Sequence, residues 1–216
     1  MLELDNVEVT LGTVHLRFDH ELEPASLNVL LGRSGSGKST LLNLIAGFVQ
    51  PDHGDIRWAG KSLLPLSADQ RPVNSLFQSH NLFAHLTITD NVGLALHPGL
   101  RLTRTDKTEV AEALAQVGLA AHGTRRPPEL SGGEQQRAAL ARCLLRRKPI
   151  LLMDEPFGAL DGATRQDMLT LTREVIDRYR PCTLLVTHEP DDGDALGADR
   201  LLVEDGRLQS ISGAPT

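Results

Sequence analysis

Residues 32–40, GRSGSGKST, combine three glycines, a lysine and hydroxyl side chains at the spacing G-x-x-x-x-G-K-[ST]. The three glycines let backbone N–H groups turn inward around phosphate oxygens, where a Cβ atom would be in the way. Lys38 supplies a positive charge for the phosphates, and Ser39 supplies a hydroxyl that can bind Mg²⁺. The spacing predicts a nucleotide-binding loop, and a tight turn without a ligand is the alternative. The predicted binding residues are Gly32, Arg33, Ser34, Gly35, Ser36, Gly37, Lys38, Ser39 and Thr40.

Two adjacent carboxylates follow an apolar run in ILLMDEP, residues 150–156. The run predicts a buried strand with Asp154 and Glu155 at its carboxyl end, which is where open α/β sheets bind their ligands. Asp154 is suited to hold Mg²⁺, directly or through water, and Glu155 can accept a proton from an attacking water. The alternative is that these acids only end the strand before the turn at Pro156. Together with a complete phosphate loop, the pair favours catalysis of phosphoryl transfer.

A second glycine-containing segment, LSGGEQQR at residues 130–137, predicts the start of a helix. Ser131 is a good N-cap, and Glu134 completes a capping box. Capping does not account for Gly132 and Gly133, each of which costs up to about 1 kcal/mol relative to Ala in a helix. Two glycines leave backbone N–H groups bare, which suits close approach of a phosphate. A well-capped helix that binds nothing is the alternative.

The elements around these segments indicate an α/β fold. SLNVLLG, residues 26–32, predicts a buried strand that leads into the phosphate loop, and residues 38–46 predict a helix that Gly47 ends. Residues 79–148 have mainly helical character, and strands alternate with helices again after Pro149. Alternation on both sides of a helical segment predicts an α/β core into which a helical lobe is inserted.

Composition argues against several classes of protein. The chain has 216 residues and a formal net charge of −6, from 22 basic and 28 acidic residues, so no nucleic-acid partner is expected. Two cysteines, Cys143 and Cys182, are too few for a disulfide framework and favour a reducing compartment. MLELDNVEV at the start has neither the basic nor the apolar region of a signal peptide. No run approaches the roughly 20 apolar residues that span a bilayer, so any membrane role is expected through another subunit.

LSGGEQQR resembles the signature sequence of ATP-binding cassette (ABC) ATPases. The resemblance implies a single domain over 1–216: a P-loop NTPase (RecA-like) core with an antiparallel β subdomain and an inserted helical subdomain. Residues 1–78 and 149–216 would form the nucleotide-binding core lobe, and residues 79–148 the helical lobe with the signature. Two copies of the chain would pack head to tail with ATP and Mg²⁺, each ATP lying between one phosphate loop and the partner's signature. Ser131, Gly132, Gly133 and Glu134 would then contact the nucleotide of the other copy.

Three further positions match family motifs in the family's order. The resemblance implies that Gln78 contacts Mg²⁺ and the attacking water, that Asp161 crosses the dimer interface, and that His188 touches the γ-phosphate. Glu155, His188 and Gln78 are thus the predicted catalytic residues, and Ser39, Gln78 and Asp154 the predicted Mg²⁺ ligands. Taken alone, these residues would be a polar strand end, a helix N-cap and a structural histidine.

Longer stretches, including LLNLIAGFVQP and ARCLLRRKPILLMDEPFGALD, resemble the ATPase subunits of bacterial thiamine importers. The resemblance implies two copies under integral membrane permease subunits, with a periplasmic solute-binding protein that delivers thiamine or its phosphates. It implies a location at the cytoplasmic face of the inner membrane. Leu11 stands where the family usually has an aromatic residue that stacks on adenine, and Arg33 replaces a common proline.

Other functions remain open from the sequence. An ABC importer could serve another solute, such as a metal ion or a polyamine. A soluble ABC protein of repair or translation usually has tandem cassettes or long insertions, and this chain has neither. A P-loop kinase of small molecules would leave LSGGEQQR unexplained.

Overall fold

The computed structural model describes residues 1–76, 82–204 and 206–211. The chain divides into two compact units. The first contains residues 1–75, 149–155 and 180–216, and the second contains residues 76–148 and 156–179. The strands are β1 (Leu2–Leu11), β2 (Val14–Leu22), β3 (Leu27–Leu31), β4 (His53–Trp58), β5 (Lys61–Ser62), β6 (Val73–Leu76), β7 (Ile150–Asp154), β8 (Cys182–Val186), β9 (Asp199–Glu204) and β10 (Arg207–Ser210). The helices are α1 (Lys38–Ala46), α2 (Ile88–Gly93), α3 (Arg104–Gln116), α4 (Gly132–Arg146), α5 (Gly162–Tyr179) and α6 (Pro190–Leu196).

Two sheets build the first unit. An antiparallel sheet has the order β2-β1-β4-β5, and β1 and β2 form a hairpin whose last paired residues are Leu11 and Val14. A six-stranded sheet has the order β10-β9-β3-β8-β7-β6. Its pairs β3–β9, β3–β8 and β7–β8 are parallel, and β10 is antiparallel to β9. The predicted α/β fold class, with an antiparallel β subdomain, is confirmed.

Strand β8 lies between β3 and β7, although it follows both of them in the sequence. Three parallel strands therefore end at one edge of the sheet, carrying the phosphate loop after β3, Asp154 and Glu155 at the end of β7, and His188 after β8. Carboxyl ends of parallel strands form the ligand-binding edge of α/β proteins. This strand order is what gathers side chains from three distant parts of the sequence.

Helix α1 anchors the phosphate loop to the core of the first unit. It begins at Lys38 and ends at Ala46, and Gly47, with a φ of 87°, provides the left-handed C-cap that the sequence predicts. Leu41, Leu42, Leu44 and Ile45 are fully buried and join a hydrophobic core with residues of both sheets. Burial of an aliphatic side chain stabilises a fold by about 1.5–3 kcal/mol, so this packing fixes the helix that presents the loop.

The second unit is helical. Helix α4 packs against α2, α3 and α5. Short 3₁₀ turns, Ala120–His122 and Pro127–Glu129, connect α3 to α4. Helix α5, which lies in the part of the sequence predicted as core lobe, groups with this second unit. In the described parts of the chain, no helix has both the length and the apolar character needed to cross a bilayer.

Candidate active site

The phosphate loop, residues 32–37, joins the end of β3 to the start of α1. Lys38, the first residue of α1, is buried, and its Nζ atom donates hydrogen bonds to the carbonyl oxygens of Gly32 over 2.8 Å and Arg33 over 3.0 Å. A Cβ atom on Gly32 would lie 2.4 Å from the carbonyl oxygen of Val203, at a φ of 145°. Glycine at position 32 is therefore required by the close approach of strand β9 as well as by the loop conformation.

Lys38 and Ser39 both face the carboxylates of β7. Burial lowers the pKa of Lys38, and the negative charges of Glu155 and Asp154 oppose that change. Burial raises the pKa of Asp154, while a hydrogen bond from the Ser39 side chain and the positive charge of Lys38 act to lower it. The structure thus brings together the lysine, the hydroxyl and the aspartate that the sequence assigns to phosphate and Mg²⁺.

Glu155 and His188 meet at the same edge of the sheet. Glu155 has a φ of 48°, a left-handed conformation that is uncommon for a residue with a side chain, and its N–H donates to the carbonyl of Val186 over 2.9 Å. The Nε2 atom of His188 lies 2.5 Å from Oε1 of Glu155. This contact orients the carboxylate, and strained backbone at such a position is a feature of functional sites.

Sequence reasoning did not identify the residues that hold His188 in place. The hydroxyl of Thr187 donates to the buried carboxylate of Asp192 over 2.6 Å, and it accepts the N–H of Glu189 over 3.1 Å. These two bonds fix the backbone on either side of His188. The available signal was a threonine directly before the histidine, with an aspartate in the first turn of the next helix, and that pattern is common at helix starts.

A cleft of about 250 Å³ contains most of these groups. It is lined by phosphate-loop residues, by Glu155 and His188, and by apolar side chains of the β1–β2 hairpin. Leu11 and Val14, the last pair of the hairpin, are 45% and 46% exposed. The lining residues are Leu11, Val14, Leu16, Ser34, Gly35, Gly37, Lys38, Ser39, Thr40, Glu155 and His188.

The LSGGEQQR segment lies in the second unit and starts α4 with the capping box that the sequence predicts. The N–H of Glu134 donates to Oγ of Ser131 over 3.3 Å, while the N–H of Ser131 donates to Oε2 of Glu134 over 2.7 Å. The hydrogen bond from the backbone N–H of Ser131 is the main cause of the lowered pKa of Glu134. The carboxylate is therefore ionised at neutral pH and favourably placed at the positive end of the helix.

Gly132 and Gly133 have different roles in the packing. A Cβ atom on Gly132 would meet nothing within 4 Å, whereas one on Gly133 would lie 2.5 Å from Cγ2 of Thr164 on α5. Packing alone thus accounts for Gly133, whereas Gly132 is the glycine whose bare N–H group packing does not explain. Asp161 accepts bonds from the N–H of Thr164 over 3.0 Å and from its hydroxyl over 2.9 Å, so it caps α5. Gln78 lies outside the described residues.

Comparison with known proteins identifies the family. The family profile described as ABC transporter matches residues 16–158. The thiamine import ATP-binding protein ThiQ of Vibrio parahaemolyticus is 45% identical over 211 residues, which cover 98% of this chain and 90% of that protein. ThiQ of Rhizobium meliloti is 46% identical over 207 residues, covering 96% and 87% of the two chains.

Two solved structures of ATP-binding cassettes also match this chain over nearly its whole length. The ATP-binding cassette MJ0796, in a dimeric post-hydrolysis state bound to ADP and Pi, matches with a TM-score of 0.83 and 27% identity. The match covers 99% of this chain and 100% of that one. A second dimeric structure of MJ0796, a bacterial ABC transporter cassette, gives a TM-score of 0.82. The chain therefore belongs to the ABC transporter family, and its fold is that of the family's ATP-binding cassettes.

Proposed function

We propose that this chain hydrolyses ATP to drive the import of thiamine, or of thiamine phosphates, through a separate membrane permease. The observation that carries the ATPase assignment is the convergence of the phosphate loop, Asp154, Glu155 and His188 on one edge of a parallel sheet. The observation that carries thiamine is 45% identity to a thiamine import ATP-binding protein over 98% of the chain.

The loop and α1 would hold the phosphates of ATP. Backbone N–H groups of residues 34–37 and the positive end of α1 suit an anion. The ammonium of Lys38 has three donors, so it can hold the carbonyls of Gly32 and Arg33 and still donate to a phosphate oxygen. The aliphatic side chains of Leu11 and Val14, which line the same cleft, would then lie against the base.

Ser39 and Asp154 suit Mg²⁺ because their oxygen atoms are the hard ligands that this ion prefers. The hydrogen bond between the two side chains places both oxygens within reach of one ion. Gln78 would be a further ligand by resemblance to the family. Mg²⁺, when bound, neutralises charge on the phosphates and so favours the transfer.

Hydrolysis would proceed by in-line attack of water on the γ-phosphorus. Glu155 would accept the proton of that water, while the bond to the β-phosphate oxygen breaks and ADP leaves. Lys38 and the loop N–H groups would stabilise the developing charge. His188 orients Glu155 and lines the same cleft, so its ring can also reach a γ-phosphate oxygen.

A second copy of the chain would complete the site. The start of α4, with Ser131, Gly132, Gly133 and Glu134, presents N–H groups and a positive helix end that suit the γ-phosphate held by the partner. Asp161, exposed at the start of α5, would lie at the same interface. Support comes from the dimeric form of the MJ0796 cassette. ATP hydrolysis would then wait for dimer closure.

Membrane permease subunits and a periplasmic solute-binding protein would be the other partners, and the chain would act at the cytoplasmic face of the inner membrane.

The test is uptake of labelled thiamine in cells that lack the gene, complemented with the wild type, Glu155→Gln or Lys38→Met. We expect only the wild type to restore uptake. Normal uptake in the deletion strain would exclude thiamine as the solute, and a metal ion or polyamine would be tested next in the same strains. Restoration by Glu155→Gln would remove hydrolysis by Glu155 from the mechanism.

A further inference from the structure

His122 contacts the residue that caps α4. It ends the 3₁₀ turn Ala120–His122, and its Nε2 atom lies 3.3 Å from Oε1 of Glu134. The other oxygen of that carboxylate, Oε2, accepts the N–H of Ser131 over 2.7 Å and its hydroxyl over 2.9 Å. One carboxylate therefore joins His122 to the N-cap of the helix.

The segment that carries His122 is itself held against the first turn of α2. The N–H of Thr89 donates to the carbonyl of Gly123 over 2.9 Å, and the N–H of Ile88 donates to the carbonyl of Arg125 over 2.8 Å. A Cβ atom on Gly123 would lie 2.6 Å from Oγ1 of Thr89. The two hydrogen bonds thus hold the backbone next to His122 close against α2, at a position with no room for a side chain on Gly123.

The contact between His122 and Glu134 is partly shielded from solvent. The two side chains are 24% and 31% exposed, so water competes less for their contact than it does at a fully exposed pair. The Nδ1 atom of His122 is buried and has no hydrogen-bond partner within the described part of the chain, which leaves Nε2 as the atom that contacts Glu134. The positive charge of Arg125, on the same connecting segment, also lowers the pKa of Glu134.

We propose that His122 is a positioning residue for the start of α4. By holding Oε1 of Glu134, it fixes the carboxylate that binds Ser131, and so it sets the direction of the N–H groups of Gly132 and Gly133. The inference depends on the proposed function, in which these N–H groups act on ATP held by a second copy. Loss of His122 lowers the turnover number but leaves ATP binding at the phosphate loop unchanged.

The test compares His122→Gln with His122→Leu in the full chain. The amide nitrogen of Gln can take the place of Nε2, whereas Leu keeps volume and loses the donor. We expect His122→Leu to lower kcat by about 10- to 100-fold, as when a group that orients a functional residue is removed. His122→Gln is expected to retain most of the activity, and both variants should bind nucleotide as the wild type does. Wild-type kcat in His122→Leu, or equal loss in both variants at an unchanged melting temperature, overturns the proposal.

A second pair of variants covers the case in which both His122 substitutions unfold the protein. Gly123→Ala places a methyl group 2.6 Å from Oγ1 of Thr89, which pushes the His122 segment away from α2. We expect a lower kcat, and we expect the double variant Gly123→Ala/Thr89→Ala to recover it, because the opposing oxygen is gone. Unchanged kcat in Gly123→Ala overturns the proposal, as does a double variant no better than the single one. A wild-type protein that does not hydrolyse ATP would instead refute the proposed function.

Discussion

The imidazole of His188, after β8, lies 2.5 Å from the carboxylate of Glu155, at the end of the neighbouring strand β7. The two side chains share the phosphate-loop cleft with Lys38. A carboxylate oriented in this way can accept a proton only if it also reaches the attacking water, because general base catalysis depends on hydrogen-bond geometry first. The pair thus defines the place where the reacting water would lie.

Replacement of Glu155 by Gln should separate binding from catalysis. The amide keeps the shape and a contact with His188 but cannot accept the proton, so we expect ATP to bind normally and turnover to fall by about 10²- to 10⁴-fold. Phosphate release under saturating ATP measures the turnover, and a fluorescent ATP analogue measures binding. Glu174→Gln, a change in an exposed residue of α5, serves as the control. Turnover close to the wild type would exclude Glu155 as the base.

Asp154→Asn should stabilise the fold while it removes a proposed Mg²⁺ ligand. Folding raises the pKa of Asp154 above its ordinary value of 3.8, mainly because of burial, so the ionised form is less favourable in the folded protein. Stability is therefore lost as the pH rises from that ordinary value through the raised one, and the penalty is fully present above the raised pKa. We expect a higher melting temperature for Asp154→Asn at pH 7 without Mg²⁺, and a smaller difference at acid pH. A lower melting temperature at pH 7 would contradict this account.

Gly132 and Gly133 should respond differently to alanine. The Cβ atom of Gly133→Ala would overlap Thr164, so we expect about 1–3 kcal/mol of lost stability. Gly132→Ala has free space and a better helix former, so we expect a gain of up to about 1 kcal/mol. Urea denaturation of both variants measures the difference, and equal free energies of unfolding would refute it. Gly132→Asp is consequently the cleaner test of a phosphate near α4, with Gly132→Asn as the neutral variant of the same size, since a loss of turnover in the Asp variant alone would come from the charge.

Because Leu11 stands in place of an aromatic residue, we expect the protein to discriminate only weakly between adenine and guanine nucleotides. The hairpin contributes the aliphatic side chains of Leu11, Val14 and Leu16 to the cleft, and these would contact any base without reading its edge. We expect ATP and GTP to compete with similar affinity, and we expect Leu11→Tyr to tighten binding of both by about 1–3 kcal/mol through stacking. Competition against a fluorescent nucleotide measures the affinities, with Leu11→Ile as the control. A strong preference of the wild type for ATP would refute the prediction.

Local features were predicted from the sequence because their hydrogen bonds join residues close along the chain. The phosphate loop, the bounds of α1 and the capping box of Ser131 with Glu134 depend on φ preferences and on bonds that span three or four residues. The sequence also predicted that Asp154 and Glu155 end a buried strand, since the apolar run before them is continuous.

Contacts between distant segments were decided by the tertiary structure. The sequence does not state that β8 lies between β3 and β7, and that order brings His188 to Glu155. Likewise, the packing of Thr164 on Gly133 and the contact of His122 with Glu134 depend on how helices of the second unit meet, which no local pattern encodes. The sequence by itself thus determined which groups are candidates for binding and cleaving a nucleotide, because those residue types and spacings are local. Only the three-dimensional packing determined which side chains hold those groups in position, because such contacts join residues far apart in the chain.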